Sequence, residues 1–275
     1  MAVITLTSDF GLLDYRVSAI KGSIAQLDDN VKVIDITHEI DAYNLMQTAY
    51  IVRNAYRYFP KGSVHIISVD SFYRKEIKTL LYKADNHYFI APDNGILELI
   101  HYDIKPELIY EITINNRFGE LVTFPTIDIS VPTAVSLCNG VTPDVVGRPF
   151  TEYVERVMPR PSYKTNEKII VGEVIYIDNF GNIVSNISQD FFKQKSISAS
   201  SYQIIFRNLS LSNIYTHYTE CITDWSKERD HHGQPIAIFN DSGLLELSIY
   251  KGSKYNGAST LFGMSVGEKI YIKLI

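Results

Sequence analysis

The chain has 275 residues, 45% of them hydrophobic and 21% charged, with a formal net charge of −5. That length fits one large domain or two ordinary ones, and the composition is that of a globular protein with a real core. Mild acidity without basic runs argues against nucleic acid as the main partner, and no stretch is apolar for long enough to span a bilayer.

The opening MAVITLTSDFG has no basic region and meets an acid at Asp9, so it does not read as a signal peptide. Cys138 and Cys221 are the only cysteines, and neither sits in a CxxC or a Cys/His cluster. A reducing cytoplasm is the expected setting, without a disulfide framework.

Val3 to Thr7 reads as a short β-branched strand. Val17, Ile20, Ile24 and Leu27 then recur at steps of three and four, which predicts a helix with one apolar face. Lys32 to Thr37 is a second strand. Asn44 can cap a helix that carries Leu45, Ala49, Val52 and Tyr56 on one face. Pro60-Lys61-Gly62 ends it, and Val64 to Val69 is a third, nearly all-apolar strand. This βαβαβ order predicts a parallel sheet covered by helices. Leu80 to Ala84 and Tyr88 to Ala91 read as a hairpin around Asp85-Asn86, and a short helix at Pro132 to Leu137 stops at Asn139-Gly140.

The texture changes after about residue 155. Met158-Pro159-Arg160-Pro161-Ser162 resembles a linker, because proline removes donors and disfavours helix in its neighbour. Strand-like runs follow at 169–177, 202–206, 235–240, 244–250 and 269–274, separated by Gly, Asn, Asp and Ser turns. The expected architecture is an N-terminal α/β domain over 1–158 and a smaller C-terminal β-barrel domain over 159–275.

Several turns carry groups that can do chemistry. Thr7-Ser8-Asp9-Phe10-Gly11 lies between the first strand and the first helix, and ligands of α/β sheets bind at the carboxyl ends of strands. An Asp there can accept from a ribose diol or simply cap its loop. Asp35-Ile36-Thr37-His38-Glu39 ends the second strand; without HExxH spacing, His38 reads as bonded within the structure rather than as a metal ligand. Asp70 ends the third strand with Arg74 four residues on, which suits either electrostatic stabilisation or a plain loop salt bridge. Pro92-Asp93-Asn94-Gly95 is a turn by composition. His231-His232 reads as loop, since adjacent strand side chains diverge. Asp178-Asn179-Phe180-Gly181-Asn182 and Asn240-Asp241-Ser242-Gly243 each follow a strand. Asn amides both donate and accept, and Phe180 can pack on a flat base, so the two turns together make a binding rim.

In order along nearly the whole chain, TSDFG (7–11), Lys21-Gly22, DITHEI (35–40), YFPKGSVH (58–65), Val69-Asp70, IAPDNGIL (90–97), the VP at 131–132, GEVIYIDNFGNIVSNI (172–187) and NDSGLLEL (240–247) resemble the SAM hydroxide adenosyltransferase family, relatives of the fluorinase and chlorinase enzymes. The resemblance implies an α/β domain followed by a β-barrel. It also implies a homotrimer, with S-adenosylmethionine (SAM) held between the first domain of one subunit and the second of the next. By position, Asp9 takes the ribose hydroxyls, Tyr43 supplies an aromatic wall, and Phe124 sits near ribose and sulfonium. Asp178, Phe180 and Asn182 serve the methionine and adenine side, with Asp241 and Ser242 on the second-domain wall.

The implied reaction is attack of water or hydroxide at the 5′ carbon of SAM, giving adenosine and L-methionine. A sulfonium is already a good leaving group, so alignment, partial desolvation and an activated nucleophile suffice, with no metal or second cofactor. The family's hydrolases carry an Asp-Arg-His set. Asp70 matches the Asp and Arg74 is the candidate Arg, after a loop, Ser71-Phe72-Tyr73, that is shorter than the family's Gly-rich one. The family's Phe-His-Gly-Arg-Asp reads Phe124-Pro125-Thr126-Ile127-Asp128 here, so Pro125 stands at the His position and Thr126 at a halide-holding serine of the fluorinase. Three readings follow in order: hydrolysis with Asp70 as base, Arg74 tuning it and Thr126 positioning water; halide transfer, which needs no base; and a SAM or adenosine sensor without turnover.

Overall fold

The computed structural model describes residues 3–113 and 122–275. It divides into two compact units, Met1–Met158 and Pro159–Ile275. The first is built on a seven-stranded sheet of β1 (Val3–Ser8), β2 (Lys32–Thr37), β3 (Val64–Ser68), β4 (Thr79–Ala84), β5 (His87–Pro92), β6 (Leu108–Ile112) and β7 (Gly147–Pro149). The spatial order is β2-β1-β3-β5-β4-β6-β7.

The expected parallel sheet is thus half of the answer. β2, β1, β3 and β5 run parallel, whereas β4, β6 and β7 add antiparallel pairs. The switch comes from the Asp85-Asn86 turn. Both residues have positive φ (50° and 62°), as a two-residue hairpin with the twist of its strands requires. A hairpin reverses the chain, and a parallel crossover does not.

Helices α1 (Arg16–Leu27), α2 (Leu45–Ala55), α3 (Ile96–Ile100), α4 (Val131–Cys138) and α5 (Pro143–Val146) complete this unit. In α1, Val17, Ile20 and Ile24 are buried as their spacing predicts, but Leu27, in the last turn, is exposed. Asn44 caps α2 through its side chain, which accepts from the Gln47 N–H. α4 stops at Gly140, whose φ of 84° is the left-handed conformation a helix C-terminus favours. One apolar cluster joins α2 and α3 to the sheet (Ala49, Val52, Ile67, Leu80, Phe89, Ile100). A second joins α1 and α4 to it (Ile4, Leu6, Ile20, Ile24, Val131, Ala134).

The second unit contains β8 (Ser162–Lys164), β9 (Ile169–Ile177), β10 (Ile183–Ser188), β11 (Tyr202–Phe206), β12 (Leu209–Leu211), β13 (Pro235–Phe239), β14 (Leu244–Ile249) and β15 (Lys269–Leu274), with helices α6 (Gln189–Ser196) and α7 (Ala258–Phe262). Its antiparallel order is β12-β11-β15-β9-β10-β14-β13, with β8 beside β9. The terminal strands β12 and β13 approach one another, which makes a nearly closed, barrel-like sheet. Ile170, Val174, Ile187, Ile204, Leu247 and Ile272 fill its interior. Sequence reading missed β10 and α6, since the Asp178–Asn182 turn masked the strand that pairs back onto β9. No described helix is long and apolar enough to cross a membrane.

Candidate active site

In the first unit the candidate residues meet at the carboxyl ends of β1 and β3, which are neighbours with Ser8 opposite Ser68. Asp9 leaves β1, and its Oδ2 accepts the backbone N–H of Tyr43 (3.0 Å) and of Asp70 (3.3 Å). Tyr43 and Asp70 both adopt positive φ, 64° and 47°. That conformation is strained for a side chain such as tyrosine, and strain of this kind collects at functional sites. The Asp9 carboxylate holds both.

Asp70 Oδ1 accepts from Arg74 Nη2 at 3.0 Å, and Arg74 is half-exposed. The two residues are therefore paired, as the sequence allows. Behind them, Asn94 Nδ2 donates to the Val69 carbonyl (3.1 Å), and Arg156 Nε donates to the Asn94 carbonyl (2.7 Å). The Pro92–Gly95 turn thus anchors the end of β3.

Thr126 is buried, and its Oγ1 donates to Ser68 Oγ at 2.9 Å. It opens a π-helical turn, Thr126–Ser130, a local widening of the helix common at functional sites. Asp128 Oδ2 accepts the backbone N–H of Thr123 (2.9 Å) and of Phe124 (2.8 Å), which fixes the entry to that turn. The Phe124 ring meets Phe10 edge-on at 5.6 Å, and Tyr43 lies 6.3 Å from Phe72. His38 Nδ1 is 2.7 Å from Ser8 Oγ, and its Nε2 is 3.2 Å from Asp35 Oδ1, so it is bonded within the fold. One bonded chain therefore links Asp9, Tyr43, Asp70 and Arg74, and Phe124 and Thr126 join it through Phe10 and Ser68.

In the second unit, Asp178 organises its own turn. Its Oδ1 accepts the N–H of Phe180 and of Asn182 (both 2.8 Å), and its Oδ2 accepts from Asn182 Nδ2 (2.9 Å). Phe180 is left exposed at the tip. Gly181, at φ 77°, lies against Gly257. A Cβ on Gly257 would fall 2.2 Å from the Phe180 carbonyl oxygen and 2.9 Å from Gly181 Cα. Both neighbours are backbone, so Gly257→Ala must displace the turn. Its expected cost is about 2–3 kcal/mol of stability, checked by urea unfolding.

In the second turn, Asn240 Oδ1 accepts from Ser242 N (3.1 Å), Ser242 Oγ (2.6 Å) and Leu244 N (3.2 Å). Asp241 is exposed at its tip and Ser242 is half-buried. Asn240 Nδ2 donates to Glu246 Oε2 (3.0 Å), and Glu246 is opposite Val184, two residues past the Asp178–Asn182 turn, so both turns lie near Glu246. Burial pushes its carboxyl up, and the negative charges of Asp178 and Asp241 add to the effect.

Sequence reasoning passed over Ser68, Tyr218 and Glu246. Ser68 had a signal, since it closes β3 level with Ser8 closing β1. Tyr218 had none, because its partner is 28 residues away. The adjacent histidines take separate partners: His231 Nδ1 lies 2.8 Å from Gln234 Oε1 and His232 Nε2 2.9 Å from Glu228 Oε1. Among the described residues, no group of three His, Cys, Asp or Glu is placed to hold a metal ion.

The fold and its acid-lined rim define a protein that takes a small polar ligand at the carboxyl ends of parallel strands. The chain belongs to the SAM hydroxide adenosyltransferase family, whose N-terminal domain matches residues 4–147 and whose C-terminal domain matches residues 172–271. It is 28% identical over 278 residues to an (R)-S-adenosyl-L-methionine hydrolase of Methanocaldococcus jannaschii, covering 98% of this chain and 95% of that one. A fluorinase of Actinopolyspora mzabensis is more distant, at 22% identity with 96% of each chain covered. Among solved structures, an uncharacterized conserved protein from Thermotoga maritima superposes with a TM-score of 0.84 at 26% identity, covering 98% of this chain and all of that one.

Proposed function

We propose that the protein hydrolyses S-adenosyl-L-methionine to adenosine and L-methionine. The observation that carries this reading is the bonded chain Asp9–Asp70–Arg74 at the strand ends of a member of this family. Water attacks the 5′ carbon of SAM. A C–O bond forms, the C–S bond breaks with its electron pair going to sulfur, and a proton leaves the attacking water. Asp70 takes that proton, Arg74 holds the carboxylate in place, and the Thr126 hydroxyl orients the water. Positive charge disappears from sulfur as the bond breaks, so the reaction depends on alignment and partial desolvation and calls for no metal or second cofactor.

For binding, Asp9 uses Oδ2 for the backbone and offers Oδ1 to the ribose hydroxyls. Tyr43 and Phe124 form the aromatic wall, and Asp178, Phe180, Asn182, Asp241 and Ser242 serve the adenine and methionine side. A homotrimer and a cytoplasmic setting complete the reading, the latter in keeping with the free thiols of Cys138 and Cys221.

Pro125 favours a second reading, binding without turnover, because its ring nitrogen has no proton to exchange where the family's hydrolases carry a histidine. The test is incubation with SAM, with and without chloride or fluoride, followed by mass spectrometry of the nucleosides. Both sulfonium epimers are supplied, since the hydrolase relative is named for the R form. Adenosine with methionine is the expected result. A 5′-halogenated nucleoside would replace water by halide as the nucleophile, and intact bound SAM would establish the second reading.

A further inference from the structure

Tyr218 lies on the segment between β12 and β13, outside every motif that marks the family. Tyr218 is 40% exposed, and its hydroxyl donates inward to Oε1 of Glu246, which is 4% exposed on β14. The other oxygen, Oε2, accepts from Asn240 Nδ2 at 3.0 Å. Asn240 then turns its carbonyl to the three donors of Ser242 and Leu244.

The polarity of the Asn240–Glu246 link is fixed. Three donors converge on one end of the Asn240 amide, so only its oxygen can face them and its NH2 must face Glu246. Glu246 therefore has to accept from Asn240 at Oε2, while at Oε1 it accepts from the Tyr218 hydroxyl, a group that can itself either donate or accept. In a buried network a donor turned against a donor costs the desolvation of both groups, so reversing one link breaks the next.

We propose that Tyr218 and Glu246 are positioning residues that lock the Asn240–Gly243 turn, so that Asp241 and Ser242 meet the substrate in one fixed geometry. This rests on the reading of that turn as part of the SAM site. The segment 207–232 thereby gains a role: it reaches under the binding turn and holds it.

The polarity supplies the test. Glu246→Gln keeps the shape but replaces the carboxylate by a neutral amide, whose carbonyl must face Asn240 and whose NH2 must face the Tyr218 hydroxyl, so both charge-assisted bonds are lost and the Tyr218 link is reversed. Asn240→Asp keeps the acceptor for Ser242 and Leu244 but sets a carboxylate against Glu246. Combined, the two changes reverse the link, because the new glutamine NH2 donates to the new aspartate while its carbonyl still accepts from Tyr218. Asn240→Asp is expected to raise the KM and Kd for SAM about tenfold or more and Glu246→Gln about threefold to tenfold, each with kcat within about threefold. The double variant is expected to return to within about threefold of the wild type. Tyr218→Phe leaves the ring in place and is expected to show the same split more weakly, so the test survives if a buried variant fails to fold.

Unchanged KM and Kd in Glu246→Gln and Tyr218→Phe would overturn the proposal, as would a folded double variant no better than Asn240→Asp. Should the wild type neither bind nor consume SAM, the functional reading falls, and hydrogen exchange at the Ser242 and Leu244 amides decides the lock. Faster exchange in the singles, restored in the double, supports it; equal exchange in all of them overturns it.

Discussion

Acidification from about pH 7.5 to about pH 5 is expected to remove about 4 kcal/mol of folding free energy through His65 and His101. His65 is 1% exposed, with Nδ1 2.7 Å from Thr5 Oγ1, Nε2 3.1 Å from His87 Nδ1, and its ring stacked on Phe89 at 4.8 Å. His101 is 2% exposed and stacked on Tyr82 at 5.0 Å, and its ring nitrogens have no hydrogen-bond partner among the described residues. Burial pushes both down to about 3, reinforced for His65 by His87 and for His101 by Arg53.

An unfolded histidine protonates near 6.5, and these two in the fold do not until about 3. Below 6.5 the unfolded chain therefore binds protons that the native state refuses. The contribution is complete above pH 6.5 and drains as pH falls towards 3, at about 1.36 kcal/mol per unit for each group. At pH 5 that is about 2 kcal/mol apiece. Glu246, Asp93 and Glu98, pushed up by burial, act in the opposite sense and offset part of the loss.

The difference between wild type and His101→Phe isolates the effect. The variant forfeits no ring hydrogen bond and should lose about 2 kcal/mol less over the same interval in urea unfolding. Equal losses would show that His101 already protonates normally in the fold.

Asp70→Asn is expected to lower turnover of SAM by about 10²–10⁴-fold while changing its Kd by less than about threefold. Asn is nearly the same size and tolerates the left-handed backbone at φ 47°, so the turn and its bond to Asp9 survive. What is lost is the acceptor for a proton and the ion pair with Arg74. That pair is half-exposed on the Arg74 side and contributes little to stability. Single-turnover chemistry and calorimetry read the two quantities separately. Normal turnover in a folded Asp70→Asn protein would remove Asp70 from the mechanism, and a large loss of affinity would make it a binding group instead.

The local decisions were legible in the sequence because they depend on neighbours in the chain. The apolar stripe of α1, the Asn44 cap, the Asp85-Asn86 hairpin, the stop at Gly140 and most strands of the barrel-like unit each follow from residues within a turn or two. The candidate turns were legible for the same reason: a strand ending in Asp9, Asp70 or Asp178 carries its own sign. Contact order hid the rest. That β5 rather than β4 lies beside β3, that Ile183–Ser188 pairs back onto β9, and that Asp9 holds Tyr43 and Asp70 in strained conformations all involve partners brought together only by the sheet. Tyr218 is the clearest case. Nothing near it in sequence assigns it a role, and only packing against β14 gives its hydroxyl a buried carboxylate that must be satisfied.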